Sequence, residues 1–329
     1  RFNSGRPAPQ EPAAQSGIDT AGFRDLEMTT VTGREELSNA LVDNGRLESM
    51  IFAGFICGAS MLAVHRVFVR SAKEAGGKIE KVFIEIQRKS FHMIGGCIIC
   101  SSYHWGLKYG YLTSACRSAA ESKVGADSNA MDGAAAFLSC SLVSWMLEAS
   151  RLMIPAVQKW YMESFSGLVR EKERTKAAGV AYFLPGALAA MLAAPSRIAI
   201  LGILFLSVGD AAASLGTAAG SIPVGCSSRK VEGSIGCFLV CLAMAGYAGL
   251  SAGVATVTST LVTVGEVLAE VIGLDDNFVI PLLGVLGVRI GMYPQFVHML
   301  VVMGLGLGIG ALLGAVVSAS KDAKKGSKK

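Results

Sequence analysis

Apolar residues gather into long runs separated by short polar stretches, at 51–69, 91–111, 131–148, 177–194, 197–218, 232–250, 252–272, 277–293 and 295–318. A stretch of roughly 18 or more apolar residues is long enough to cross the hydrocarbon core of a bilayer as an α-helix. A helix is also the form that satisfies its own backbone hydrogen bonds there. The pattern predicts an all-α, polytopic integral membrane bundle of about nine transmembrane helices, with a range of about seven to nine. The second run is the weakest, because it carries His92, His104 and Lys108. Polar residues interrupt the fifth and eighth runs, which points those helices at the bundle interior or a cavity. Between the third and fourth runs, residues 155–175 place Trp160, Tyr161, Phe165, Leu168 and Val169 at near-helical spacing among Lys, Glu and Arg. That predicts an amphipathic helix lying in the membrane interface. Residues 1–48 are polar and at first rich in Pro, Gly and Ala, and read as a disordered tail. Its acidic residues are unlike an organellar transit peptide. The expected organisation is therefore the tail 1–48, a transmembrane domain 49–319 and a basic tail 320–329.

Charge adds an orientation. Basic residues fill the loop after the first run (Arg70, Lys73, Lys78, Lys81, Arg88, Lys89), after the third (Arg151, Lys159, Arg170, Lys172, Arg174, Lys176) and after the fifth (Arg229, Lys230). They also fill the C-terminal tail (Lys321, Lys324, Lys325, Lys328, Lys329), whereas the loops between are poor: Arg117 and Lys123 follow the second run and Arg197 the fourth. Lys and Arg are retained on the cytosolic side, so the pattern predicts a luminal N-terminus and a cytosolic C-terminus. The composition agrees with a membrane protein: 52% hydrophobic and only 17% charged, with a mean hydropathy of +0.49, where soluble domains carry charge on roughly 25% of residues. A net charge of +5 is no nucleic-acid signature. The cysteines lie scattered in apolar segments, and the pair Cys97 and Cys100 has no second pair to complete a metal site, so they read as small packing residues.

Four polar clusters need a chemical reason. Asp210 follows Gly209 inside the fifth run, where an aspartate is disfavoured by roughly 2.5–3.5 kcal/mol on insertion scales. Ser214 and Gly216 follow it, then Arg229, Lys230, Glu232, Gly233 and Ser234 at the start of the sixth run. A second cluster runs from Glu85 through Arg88 and Lys89 to His92; Arg88 and His92 share a helical face, as do Glu85 and Lys89. The third is Asp275, Asp276 and Asn277, which open the eighth run either as an N-cap or as metal ligands. The fourth is Glu148 and Arg151 with the later Arg170-Glu171-Lys172-Glu173-Arg174, which reads either as a solvated interfacial helix or as an aid to metal binding. The expected topology sets all four on the cytosolic side. Carboxylates, cations and small residues meeting there suit a metal–phosphate site. No P-loop or dinucleotide fingerprint is present at an informative position.

Taken in order, Arg88-Lys89-x-x-His92, Gly209-Asp210-Ala211-Ala212-Ala213-Ser214-x-Gly216, Lys230-x-Glu232-Gly233-Ser234 and Asp276-Asn277-x-x-x-Pro281 resemble the polyprenol kinase family over about residues 80–292. Arg170-Glu171-Lys172-Glu173 with Gly179 and Tyr182 is similar to the same family. Many of its members have Gly-Lys-Ser before the Glu-Gly-Ser, whereas this chain has Ser228-Arg229-Lys230. The family includes CTP-dependent diacylglycerol kinases, dolichol kinases and phytol kinases, related to CTP-using phosphatidate cytidylyltransferases. The resemblance implies transfer of the γ-phosphoryl of CTP to the hydroxyl of a membrane lipid alcohol, with Mg²⁺ as cofactor. Asp210 with Asp275 or Asp276 is expected to hold the metal. Arg88, Lys89 and Lys230 are expected to neutralise phosphate, with Gly209, Ser214, Gly216, Arg229, Glu232, Gly233, Ser234, His92 and Asn277 around the nucleotide. The glycines are expected to let the nucleotide approach the backbone. The alternatives are a cytidylyltransferase making a CDP-lipid and, from a different class, a secondary transporter. The endoplasmic reticulum is the expected membrane, with the plastid envelope as the alternative.

Overall fold

The computed structural model describes residues 42–109, 128–165, 171–225 and 227–292. Among these the architecture is all-helical, with no strand. The helices are α1 (Asn44–Ala75), α2 (Gly77–Tyr109), α3 (Ser128–Met153), α4 (Pro155–Ser164), α5 (Val180–Ala193), α6 (Ser196–Leu204), α7 (Asp210–Ala219), α8 (Val231–Tyr247), α9 (Ala252–Ile272) and α10 (Asp276–Gly291). A π-helical turn, Phe205–Gly209, joins α6 to α7.

Local chemistry sets the boundaries. Asp43 caps α1 by accepting the Arg46 amide at 2.8 Å. Gly76 and Gly77, with φ of +63° and +60°, break α1 from α2 in a backbone region that suits glycine. Pro155 occupies the first turn of α4, where its missing N–H is not needed. Gly273 (φ +76°) ends α9 in the left-handed conformation, and Asp275 caps α10 through the Asn277 amide at 3.0 Å.

The α6–π–α7 segment is the axis of the molecule. Leu201, Ile203, Leu204, Phe205 and Leu206 are fully buried. Around that axis α2, α5, α8 and α10 pack directly, while α1 pairs with α2 and α9 with α10. Glycines permit the closest approaches: a methyl group on Gly96 of α2 would lie 1.7 Å from Ser207 Oγ, and one on Gly216 of α7 would lie 2.7 Å from Gly233 Cα of α8. Large apolar side chains face outward instead on α1 (Phe52, Val67), on α3 (Val143, Met146) and on α9 (Val264, Val271). Such an outer surface is compatible with a lipid solvent.

Three described helices are long and apolar enough to cross a membrane: Asn44–Ala75, the continuous Ser196–Ala219 and Ala252–Ile272. A fourth is added if Phe137–Met153 and Pro155–Ser164, bent by 111°, form one broken span. The hydropathy pattern predicts about nine, and the structure does not carry that number. The reasons are length and dilution. With 14, 17 and 16 residues, α5, α8 and α10 reach only about 21–26 Å at ~1.5 Å per residue, short of a ~30 Å core. The apolar half of α2 is diluted by His92, Ser101, Ser102, Tyr103 and His104. The interfacial helix expected over 155–175 is the shorter α4, followed by a 3₁₀ turn at Glu171–Arg174. The run 295–318, residues 320–329, most of the tail 1–48, and Arg117, Lys123, Leu168, Val169, Arg170, Cys116 and Cys226 lie outside the described residues.

Candidate functional site

Asp210 is the first residue after the π turn and is completely buried. A π turn places one extra residue in a helical turn and rotates the next residues about the axis, a device frequent at functional sites. Here it aims the carboxylate at α2. Lys89, itself 4% exposed, donates from Nζ to Asp210 Oδ2. His92, three residues on and on the same face, sets Nε2 3.5 Å from the same oxygen and stacks on Phe183 with ring centroids 4.7 Å apart. The Ser214 hydroxyl, one turn along α7, lies 3.4 Å from Asp210 Oδ1.

On α2 the two adjacent cations part company: Lys89 reaches Asp210. Arg88 turns back along its own helix to Glu85, with Nη2 2.5 Å from Oε2. A one-residue step turns a helical side chain by about 100°, so only one of two adjacent cations can face the α7 carboxylate.

From the other side comes the loop between α7 and α8. It folds back on itself through an antiparallel bridge between Pro223 and Lys230, with the Val231 amide donating to the Ile222 carbonyl at 2.9 Å. The bridge points Arg229 inward. Its Nη1 lies 2.6 Å from Glu266 Oε1, its Nη2 2.6 Å from Asp276 Oδ2 and its Nε 3.4 Å from Glu270 Oε2. Burial opposes the charge, but the carboxylates of Glu266 and Asp276 outweigh it and hold the guanidinium above its ordinary pKa. Lys230 instead sits at the N-cap position of α8, its amide 3.4 Å from Thr217 Oγ1.

Asp210, Glu266 and Asp276 each offer a carboxylate oxygen, and these oxygens lie within 4.8 Å of one another. Glu266 is 1% exposed, and its Oε2 has no hydrogen-bond partner among the described residues. A buried, under-satisfied carboxylate grouped with two others fits a hard divalent cation, which takes oxygen ligands. Asp275 is not one of the three. It accepts from the Asn277 side chain at 2.8 Å, and burial with the neighbouring Asp276 charge pushes its carboxyl up to about 6. The Asn277 Oδ1 is buried without a hydrogen-bond partner among the described residues.

Beside these groups, with Asp276 in its wall, lies a cavity of about 440 Å³, within the ~300–1,000 Å³ range of small-ligand sites. Lys81, Ile84 and Glu85 of α2, Ser214, Thr217 and Ala218 of α7, Ser228 and Arg229 of the loop, Glu270, Leu274, Asp275 and Asp276 line it. Asp210 and Lys89 do not line it; they lie one helical turn beyond Ser214 and Glu85, which do.

The glycines have a role other than the expected one. The open faces of Gly209, Gly216 and Gly233 are filled by protein: Cys241 Sγ at 2.6 Å, Gly233 Cα at 2.7 Å and the Ala213 carbonyl at 2.4 Å from an added methyl. They bring α7 against α8. Glu232 is spent on the loop, accepting the Ser221 amide at 2.7 Å and the Ile222 amide at 3.3 Å. The Ser234 hydroxyl is buried without a hydrogen-bond partner among the described residues.

The Glu148 cluster stands apart from the other three. Glu148 and Arg151 are buried and paired, with Nε to Oε2 at 2.9 Å. Glu148 accepts the Ala178 amide at 2.6 Å, Arg151 donates to the Lys176 carbonyl at 2.7 Å, and its guanidinium lies 5.2 Å from the Tyr161 ring centroid. The pair latches the bent α3–α4 segment to the strand-less approach to α5. It is neither a solvated surface pair nor a part of the cavity.

Glu266 and Glu270 are absent from the sequence-derived site. The signal was present: both interrupt the apolar run 252–272, one turn apart, by the same reasoning that singles out Asp210. Compared with protein-family models, with curated proteins and with solved structures, the chain gives no match.

Proposed function

We propose that the chain is a CTP-dependent kinase of the polyprenol kinase type, acting on the hydroxyl of a membrane lipid alcohol such as diacylglycerol, dolichol or phytol. The observation that carries the reading is one cavity bordered by Arg229 and Asp276, with the Lys89–Asp210 pair one helical turn beyond its lining, at the end of the most buried helix. Phosphoryl transfer asks a protein chiefly for positioning and charge neutralisation. Arg229 supplies a cation at the cavity wall and Lys81 lines the approach, while Lys89 balances Asp210. Asp210, Glu266 and Asp276 are the residues to hold Mg²⁺, which when bound neutralises triphosphate charge. In the reaction the lipid oxygen bonds to the γ-phosphorus as the bond to the β-bridging oxygen breaks. The nucleoside diphosphate leaves, and the hydroxyl proton passes to Asp276, the one of the three carboxylates that lines the cavity. Ile84 and Leu274, both exposed and apolar at the cavity wall, offer the lipid chain a way in from the bilayer. The remaining apolar runs then lie in or against the membrane, with the cavity on the cytosolic side of the endoplasmic reticulum.

Labelled CTP tests the reading. Purified protein is offered a panel of lipid alcohols with γ- or α-labelled CTP. Label from the γ position appearing in the lipid is the expected result. With phosphatidate offered in parallel, retention of cytidine and α-label in that lipid identifies a cytidylyltransferase instead, and labelling of neither an alcohol nor phosphatidate ends both readings.

A further inference from the structure

Arg229 already holds two of the carboxylates that the proposed metal needs. Its Nη1 and Nη2 lie 2.6 Å from Glu266 Oε1 and Asp276 Oδ2, while Lys89 matches Asp210. Oxygens of all three carboxylates are thus already engaged by protein cations. A divalent ion added to this set meets a guanidinium on the very oxygens it would take, in a buried place where repulsion between cations is weakly screened. The ion gains its ligands only if a cation leaves. Lys89 is buried on α2, away from the cavity lining, whereas Arg229 lines the cavity from a loop. Its guanidinium can swing without moving α9 or α10. A phosphate in the cavity offers the guanidinium fork the bidentate oxygens that it otherwise finds on Glu266 and Asp276. The second Glu266 oxygen, buried and without a hydrogen-bond partner, then completes its coordination on the metal.

We infer that Arg229 and a divalent cation compete for Glu266 and Asp276, so that tight cation binding is conditional on a phosphate group that draws Arg229 away. The inference rests on reading the site as a metal–phosphate centre, and it makes Arg229 the residue that couples the two ligands.

The test is Mn²⁺ binding to the purified full chain, followed by electron paramagnetic resonance, with no nucleotide present. Arg229→Gln is expected to bind Mn²⁺ about tenfold more tightly than the unaltered chain, and Arg229→Lys, which keeps the charge but loses the fork, by an intermediate amount. Millimolar inorganic phosphate, with free Mn²⁺ held constant, is expected to tighten binding to the unaltered chain several-fold and to leave Arg229→Gln unchanged. Asp276→Asn in the Arg229→Gln background is expected to reverse the gain. Equal or weaker Mn²⁺ binding by both Arg229 variants, or no response of the unaltered chain to phosphate, overturns the inference. Should Arg229→Gln fail to fold, Arg229→Lys and the phosphate response of the unaltered chain still decide it. Absence of Mn²⁺ binding in every chain overturns the metal–phosphate reading as well, whereas binding without competition overturns the competition alone.

Discussion

Two adjacent cations on α2 have different fates, and that difference fixes what each substitution does. Lys89 is buried against Asp210, while Arg88 is partly exposed and paired with Glu85. Removing one member of a buried pair strands the other charge, at a cost of about 3–5 kcal/mol. Lys89→Met is therefore expected to lower the thermal stability of the detergent-solubilised protein steeply. Lys89→Met with Asp210→Asn is expected to recover most of the loss, and failure to recover shows that the pair does not carry that energy. Asp210→Asn alone is expected to reduce lipid phosphorylation at least a hundredfold while membrane insertion is retained, read from γ-label in the lipid and from membrane fractionation. Asp275 gives a pH-dependent outcome. Its carboxyl is raised to about 6 in the fold against an ordinary ~3.9. Folding thus favours the protonated form, and that stabilisation is complete below the ordinary value and is lost as pH rises through about 6. Asp275→Asn keeps a capping side chain, so it is expected to melt at a higher temperature than the unaltered chain at pH 7.5 and close to it at pH 4.

At the scale of elements, helix contacts decide which side chains meet. Gly95 and Gly96 are neighbours on α2 with opposite surroundings. A methyl on Gly95 meets nothing within 4 Å, whereas one on Gly96 would strike Ser207 in the π turn. Gly95→Ala is expected to be neutral or to stabilise by up to about 1 kcal/mol through helix propensity. Gly96→Ala is expected to destabilise and, by pushing α2 off the π turn, to weaken the Lys89–Asp210 contact; paired melting curves check both. Comparable behaviour of the two variants removes the close approach from the account of the site. The sequence shows two glycines in a row and nothing that distinguishes them, because the distinction lies in which helix stands opposite.

For the whole molecule, the exposed apolar surface and the buried α6–π–α7 axis set a pattern of cysteine access. Cys57 and Cys140 are exposed on α1 and α3, whereas Cys97, Cys100, Cys237 and Cys241 are buried. If those outer faces meet lipid, Cys57 and Cys140 are expected to resist even a lipid-soluble maleimide in intact membranes, where the thiol stays protonated, and to react once the chain is denatured in detergent. A charged maleimide is expected to leave them unmodified, and peptide mass mapping reads each site separately. Modification of both by the charged reagent places those faces in water.

Much of this molecule is written locally. The apolar runs mark helices because burying a backbone in an apolar setting leaves no other way to satisfy it; the run 252–272 is the helix Ala252–Ile272. Asp210 is conspicuous in sequence because its burial is costly wherever the helix lies. The number of crossing helices is less legible, since a run's hydropathy does not fix where its helix begins, ends or bends. Partner choice is not local at all. Lys89 over Arg88, Arg229 facing the carboxylates while Lys230 takes the cap of α8, Glu266 joining Asp210, and Glu148 with Arg151 turning away all depend on how far each helix is rotated about its axis. Long-range packing fixes that rotation, through Gly96 on Ser207, Gly216 on Gly233 and the bridge from Pro223 to Lys230. Sequence by itself determined that these charges need burial partners; only the tertiary structure decided which partners they take.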